Sequence, residues 1–136
     1  MRVLSIQEPY GTLITLRGKR FETRSWGTKY RGPLLIHTSQ KVPAKYRKNP
    51  ELMALLDGAK MQPGKIIGRA YLVSCIHMTE EFIDFVRKNL PKEYAAGFYE
   101  VGRYAWILTN VIPFENPIPA KGSLGLWNYD GPIPEM

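Results

Sequence analysis

The chain has 136 residues, enough for one domain that buries roughly two-thirds of its unfolded surface without disulfide or metal staples. Cys75 is the only cysteine, which excludes an internal disulfide framework and fits a reducing, cytoplasmic setting; no apolar run has the length of a membrane span. The net charge of +7 is uneven, with fourteen Lys and Arg against four Asp and Glu in residues 1–70, and five against eight in residues 71–136. A basic half of this kind suits a polyanionic partner, because clustered cations gain counterion-release free energy; a solvated, solubilising surface is the plain alternative.

The N-terminal MRVLSIQEPYG turns polar after five residues and lacks the apolar core of a signal peptide. RVLSI predicts a strand. Pro9 then opens a short helix with Tyr10, Leu13 and Ile14 on one face, a packing face by its spacing, and Gly18 ends it. FETRSW and PLLIHTS read as strands two and three. KVPAKYRKNP reads as a solvated loop whose four cations could extend a nucleic-acid track. NPELMALLDG has Asn49 as cap, Pro50 at the first helical position and Gly58 as terminator. KIIGRAYLVSCIHM is a long strand. TEEFIDFVRKNL is a helix capped by Thr79, with acids in its first turn, Arg87 and Lys88 in its last, and Phe82, Phe85 and Val86 as its apolar face. RYAWILTNVIPF and LGLWNY are the last strands, with Trp106 read as core and Trp127 as closing a barrel. About six strands with short helices inserted predict an α+β fold, a small mixed or antiparallel β-barrel formed by a single domain over residues 1–136.

One stretch stands apart. GKRFETRSWGTKYRG, residues 18–32, holds five cations, three aromatics and one carboxylate, Glu22. The strand period of two places Glu22, Arg24 and Trp26 on one face and Phe21, Thr23 and Ser25 on the other, with Lys19 able to lean over the first. A carboxylate between Lys19 and Arg24 stays ionised and fixes both side chains. Lys29, Tyr30 and Arg31 continue the pattern. Cations that track phosphates, interleaved with aromatics that stack on bases, are the ingredients of a single-strand or nucleotide site. Glu22 adds an acceptor for a base amino group or a ribose hydroxyl, which Lys and Arg cannot supply. An amphipathic strand with a surface ion pair and Trp26 in the core is the structural alternative. GRYAW contributes Arg103 and Tyr104, with Gly102 allowing close backbone approach, and alternation lets at most one of these two side chains line a cleft.

Lys19-x-x-Glu22-x-Arg24 followed by SWGTKYRGPLLIHTSQK, with SIQEPYGTLI before it and GRYAWIL and PIPAKGSLGLW after it, resembles the ASCH domain (activating signal cointegrator 1 homology) over nearly the whole chain. The resemblance implies a PUA-like barrel with a cleft beside the motif and an RNA or nucleotide ligand. It also places the GRYAW strand near the motif. Here Arg17 stands where the family has a glycine two residues before the lysine, and Gly18 follows it. Some small relatives are amidohydrolases that act on N4-acylated cytidines through a lysine, a threonine and a glutamate. By position their lysine matches Lys19, but their threonine falls on Glu22, and their glutamate has no evident counterpart. Thr23 is adjacent and assigned to the opposite face.

Together these residues point to an RNA or nucleotide site of Lys19, Glu22, Arg24, Trp26, Lys29, Tyr30, Arg31, Arg103 and Tyr104, with no cofactor. The runner-up is a metal-independent hydrolase, an amidohydrolase of acylated cytidine nucleosides or a ribonuclease, in which Glu22 serves as base and Lys19 as electrostatic stabiliser. An adaptor whose basic face meets an acidic protein is the third. His37 and His77 lie on separate strands and with one cysteine form no recognisable metal set; His37 could face the cleft but is left out of the site. A deep closed pocket would favour nucleoside chemistry, and an open groove continuing to Lys45 and Lys48 would favour a strand of RNA.

Overall fold

The structure, a computed structural model, describes residues 1–134. Its strands are β1 (Arg2–Ile6), β2 (Phe21–Arg24), β3 (Gly32–Thr38), β4 (Lys65–His77), β5 (Tyr104–Pro119) and β6 (Leu126–Asn128). Its helices are α1 (Tyr10–Thr15), α2 (Pro50–Leu56), α3 (Glu80–Asn89) and α4 (Pro91–Ala95), with a 3₁₀ turn at Ala44–Lys48. The strands form one mixed sheet in the order β2-β5-β4-β3-β1-β6, in which only the β1–β3 pair is parallel. The class is α+β, as the segment pattern predicts.

The sheet does not close into a barrel. β2 and β6 are its two edges and share no ladder among the described residues. They are short strands, of four and three residues. Register shifts in the β4–β5 ladder bend the long strands and curl the sheet, as bulges do. Side chains span the seam in place of strand pairing: Arg24 of β2 donates from Nη2 to the Ser5 carbonyl of β1 at 2.5 Å. Trp127, expected to close a barrel, sits half-buried on edge strand β6 and donates Nε1–H to Ser5 Oγ at 3.0 Å.

Strand alternation sorts the core. Leu4, Ile6, Leu34 and Ile36 enter the main cluster with Ile14 of α1 and Trp106 of β5, while Val3 and Leu35 turn to a second cluster with Ile66 and Phe114. Trp106 is fully buried, as expected. A third cluster, with Leu13, Tyr46, Leu52, Leu56 and Ala96, packs α1, α2, α4 and the 3₁₀ turn together. Tyr46 is the reason the basic segment 41–50 is not a free loop: its buried ring anchors the 3₁₀ turn and leaves Lys45 and Lys48 exposed.

Some local expectations hold and others shift. Asn49 caps α2 through bonds from the N–H groups of Glu51 and Leu52 at 3.0 and 3.2 Å, and Thr79 caps α3. Arg17, not Gly18, takes the left-handed position after α1, at φ 62°. α3 lies on the surface, so Phe85 is 56% exposed rather than core and Phe82 is half-buried against Phe21. Gly102 answers a backbone demand, φ 93°, and not a close approach, since no atom lies within 4 Å of its would-be Cβ. No helix among the described residues is long and apolar enough to cross a membrane.

Candidate nucleic-acid interface

The seam of the curled sheet carries the site. The turn after α1 starts it, because Leu13 O accepts bonds from both Gly18 N and Lys19 N at 3.0 and 3.2 Å and so folds Lys19 inward. Lys19 is 1% exposed. Its Nζ donates to the carbonyls of Phe21 at 2.5 Å and Ala96 at 2.6 Å, with Glu22 Oε1 at 4.0 Å and the Tyr10 ring centroid at 5.6 Å. Burial pushes the Lys19 ammonium below its ordinary pKa; Glu22 and Glu93 oppose that shift and Arg24 adds to it. Glu93, at the third position of α4, accepts from Arg20 N and Phe21 N at 2.7 and 3.2 Å and ties β2 to the helix.

Glu22 Oε2 accepts from Arg24 Nε at 3.1 Å. With Nη2 held by Ser5 O, the guanidinium is pinned at two points and keeps its other N–H groups for a ligand. Trp26 stands edge-on to Trp106 at 4.9 Å and 83°, and its carbonyl accepts the Trp106 indole N–H at 3.1 Å. Arg103 donates from Nε to Phe98 O at 3.1 Å and covers the Phe98 ring at 4.4 Å.

Glu22, Arg24, Trp26 and Arg103 border one cavity of about 470 Å³, together with Gln7, Tyr10 and Phe98. Lys19 stands behind Glu22, out of solvent. Thr23 also borders the cavity, contrary to simple alternation, but its hydroxyl already accepts from Phe98 N at 3.0 Å. The other predicted residues lie elsewhere. Tyr30 donates its hydroxyl to Pro33 O at 2.5 Å under Arg2, Arg31 donates to the Thr28 and Tyr30 carbonyls, and Lys29 is exposed. Tyr104 stacks on His77 at 4.7 Å and packs beside Gly27.

Two further cavities flank the first. One, about 460 Å³, shares Gln7 and Tyr10 with it and reaches Tyr46, Lys45 and Lys48. The other, about 530 Å³, shares Arg24 and reaches Ser5, His37 and the loop at residues 121–125. Buried Glu8 supports the first flank: its carboxylate accepts from Thr12 N and Oγ1 at 2.8 and 2.6 Å, which caps the first turn of α1 where Pro9, at the N-cap, has no side-chain acceptor. Gln7, Tyr10, Phe98, Glu93, Ser5 and Lys121 were not singled out as site residues from the sequence. Only the blocks SIQEPYG and KGSLG hinted at some of them. Among the described residues no group of three or more His, Cys, Asp and Glu is placed to hold a metal ion.

The sequence profile described as the ASCH domain matches residues 4–118. The human protein Activating signal cointegrator 1 is 27% identical over 142 residues, an alignment that takes in 96% of this chain and 22% of that protein; the chain thus spans about a fifth of its relative's length. Among solved structures, ASCH from Zymomonas mobilis superposes with a TM-score of 0.54 at 16% identity, covering 86% of this chain and 71% of that one. A mutant form of the same protein gives 0.53 at 15% identity, over 86% and 73%. At such identities the structural likeness speaks for the fold, an α+β, PUA-like one, while the profile match over most of the chain speaks for descent: this protein belongs to the ASCH domain family.

Proposed function

We propose that the chain, as one ASCH domain of residues 1–136 acting in the cytoplasm, binds single-stranded RNA along an open groove. The observation that carries this reading is the sharing of walls. The Lys45–Lys48 cavity adjoins the central one at Gln7 and Tyr10, and the central one adjoins the loop cavity at Arg24, so three concavities lie side by side along the seam. Cations recur along it and aromatics are spaced between them, the arrangement that single strands use for phosphates and base stacking. In this reading Trp26 stacks on a base, Arg24, Arg103, Lys45 and Lys48 meet phosphates, and Glu22 accepts from a base amino group or a ribose hydroxyl. Glu22 is suited to that role because Oε2 is taken by Arg24 while Oε1 has only Lys19, at 4.0 Å, nearby.

The hydrolase reading rests on a different observation, a buried lysine of lowered pKa beside a carboxylate at the cavity wall. It ranks second because Lys19 already donates to two carbonyls and the Thr23 hydroxyl is engaged. The variant Glu22→Gln separates the two. As a recognition residue, its loss changes ligand choice and leaves phosphate-driven RNA binding intact. As a general base, its loss lowers turnover by about 10²–10⁴-fold with little change in affinity. Wild type and variant are compared on short RNA and on N4-acylated cytidine, with binding and product both followed. No appreciable hydrolysis by wild type is expected; clear turnover that vanishes in Glu22→Gln would reverse the ranking.

A further inference from the structure

Resting on the groove reading above, we infer that the cavity between Arg24 and the loop at residues 121–125 is a phosphate subsite, which takes the phosphate attached to the nucleotide held in the central cavity. The first ground is its charge. Its described lining includes two cations, Arg24 and Lys121, with the hydroxyls of Ser39 and Ser123, and no carboxylate. An electron-rich ligand is therefore favoured and a cationic one excluded.

The second ground is the loop. Backbone N–H groups of residues 121–125 find no acceptor among the described residues, whereas the flanking Ala120 N and Tyr129 N are bonded to Gly64 O and Met1 O. Residues 121–125 are all exposed, so these N–H groups are open to solvent and, beside two cations, are available to an anion. The loop is nevertheless held in place from below. His37 Nε2 lies 2.7 Å from Ala120 O, which can only accept, so Nε2 carries the ring proton; Nδ1 then accepts from Ser5 Oγ at 2.9 Å, and Ser5 Oγ accepts from Trp127 Nε1. Both imidazole nitrogens are spent on the floor. Gly122 rests on this floor so closely that a Cβ would lie 2.7 Å from His37 Cε1 and 2.8 Å from Ser5 Oγ, which only glycine permits. The floor positions the loop and leaves recognition to Lys121, Arg24 and the N–H groups.

The third ground is adjacency. Arg24 borders both this cavity and the central one, and two of its five N–H groups are used by Glu22 and Ser5. The remaining three can reach an anion in one cavity while the base or ribose occupies the other. A phosphate ester of the bound nucleotide satisfies both at once, which free phosphate cannot.

Amide spectra of the full chain, with three probes, test this: a ribonucleoside, its 3′- and 5′-monophosphates, and inorganic phosphate. One monophosphate is expected to bind about tenfold tighter than the nucleoside, the scale of one charged hydrogen bond, and to shift the amides of Gly122, Ser123 and Gly125. In Lys121→Gln that gain should fall to about threefold or less, while nucleoside affinity and the Trp26 indole shift stay as in wild type. Inorganic phosphate should move the same loop amides, saturably but weakly, and not the Trp26 indole. Equal affinity for nucleoside and both monophosphates, or a gain that survives Lys121→Gln, overturns the subsite while leaving the central site standing. If the nucleoside leaves Trp26 unmoved but phosphate still titrates the loop, the subsite holds and the groove reading fails. If inorganic phosphate and both monophosphates leave the loop amides unmoved, the subsite is rejected.

Discussion

Replacing Lys19 with methionine should destabilise the protein more than any single change at the exposed cations of the groove. Methionine matches the length of the lysine stem but has no donor, so the carbonyl of Phe21 and the buried carbonyl of Ala96 lose their 2.5 and 2.6 Å partners. Each unpaired buried acceptor costs about 1–3 kcal/mol, and a domain of this kind has only about 5–15 kcal/mol to lose. The damage reaches the site because Lys19 joins the start of β2 to the end of α4. A pH series adds a check with a definite sign. Burial, the largest influence, holds the folded-state pKa of Lys19 below its unfolded value. The desolvation penalty is thus fully present below the folded pKa and is relieved as pH rises through it toward 10.5, the ordinary lysine value. Wild type should gain stability relative to Lys19→Met over that window. Denaturant unfolding of both proteins from neutral to alkaline pH measures it; equal stabilities throughout would remove Lys19 from its structural role.

The Trp26→Ala change should act mainly on binding. A stacked base lost from an aromatic costs about 1–3 kcal/mol, or roughly tenfold in affinity for each 1.4 kcal/mol. Its effect on folding should stay below the roughly 3–5 kcal/mol of a fully buried tryptophan. The reason is specific: Trp26 is half-buried, and it is its backbone carbonyl, not its indole, that receives the Trp106 N–H. Denaturant unfolding and RNA titration of the same preparation separate the two terms. Loss of folding with no separable binding defect would assign Trp26 to the core and withdraw it from the site.

The contrast between these two residues shows what the sequence can carry. Alternation along FETRSW puts Glu22 and Arg24 on one face, and the structure pairs them at 3.1 Å, since a strand period constrains neighbours two apart. Capped helices such as Pro50–Leu56 were equally legible, because cap and terminator are local chemistry. Continuing the same pattern to Lys29, Tyr30 and Arg31 fails. β2 ends at Arg24, and past it the chain turns so that Tyr30 bonds Pro33 of β3 and Arg31 bonds its own loop. The cavity walls that were missed, Gln7, Tyr10, Phe98 and Lys121, come from three separated segments. Only the curl of the sheet brings them together, and that curl depends on ladder bulges with no local signature. Barrel closure is not legible for a related reason: counting strands says nothing about whether the two edges of the sheet meet.

An extended, electrostatic contact between the groove and a nucleic-acid backbone is the core of the proposed function, and the salt dependence of binding reaches that contact directly. A labelled single-stranded RNA of about ten nucleotides, titrated with wild-type protein at several salt concentrations, should give a straight line of log affinity against log salt. Each phosphate neutralised contributes about −0.7 to its slope. Lys45, Lys48, Arg24, Arg103 and Lys121, all bordering the three adjoining cavities, predict a slope of roughly −2 to −3.5. An affinity unchanged from low to high salt, or no binding at low salt, would contradict it.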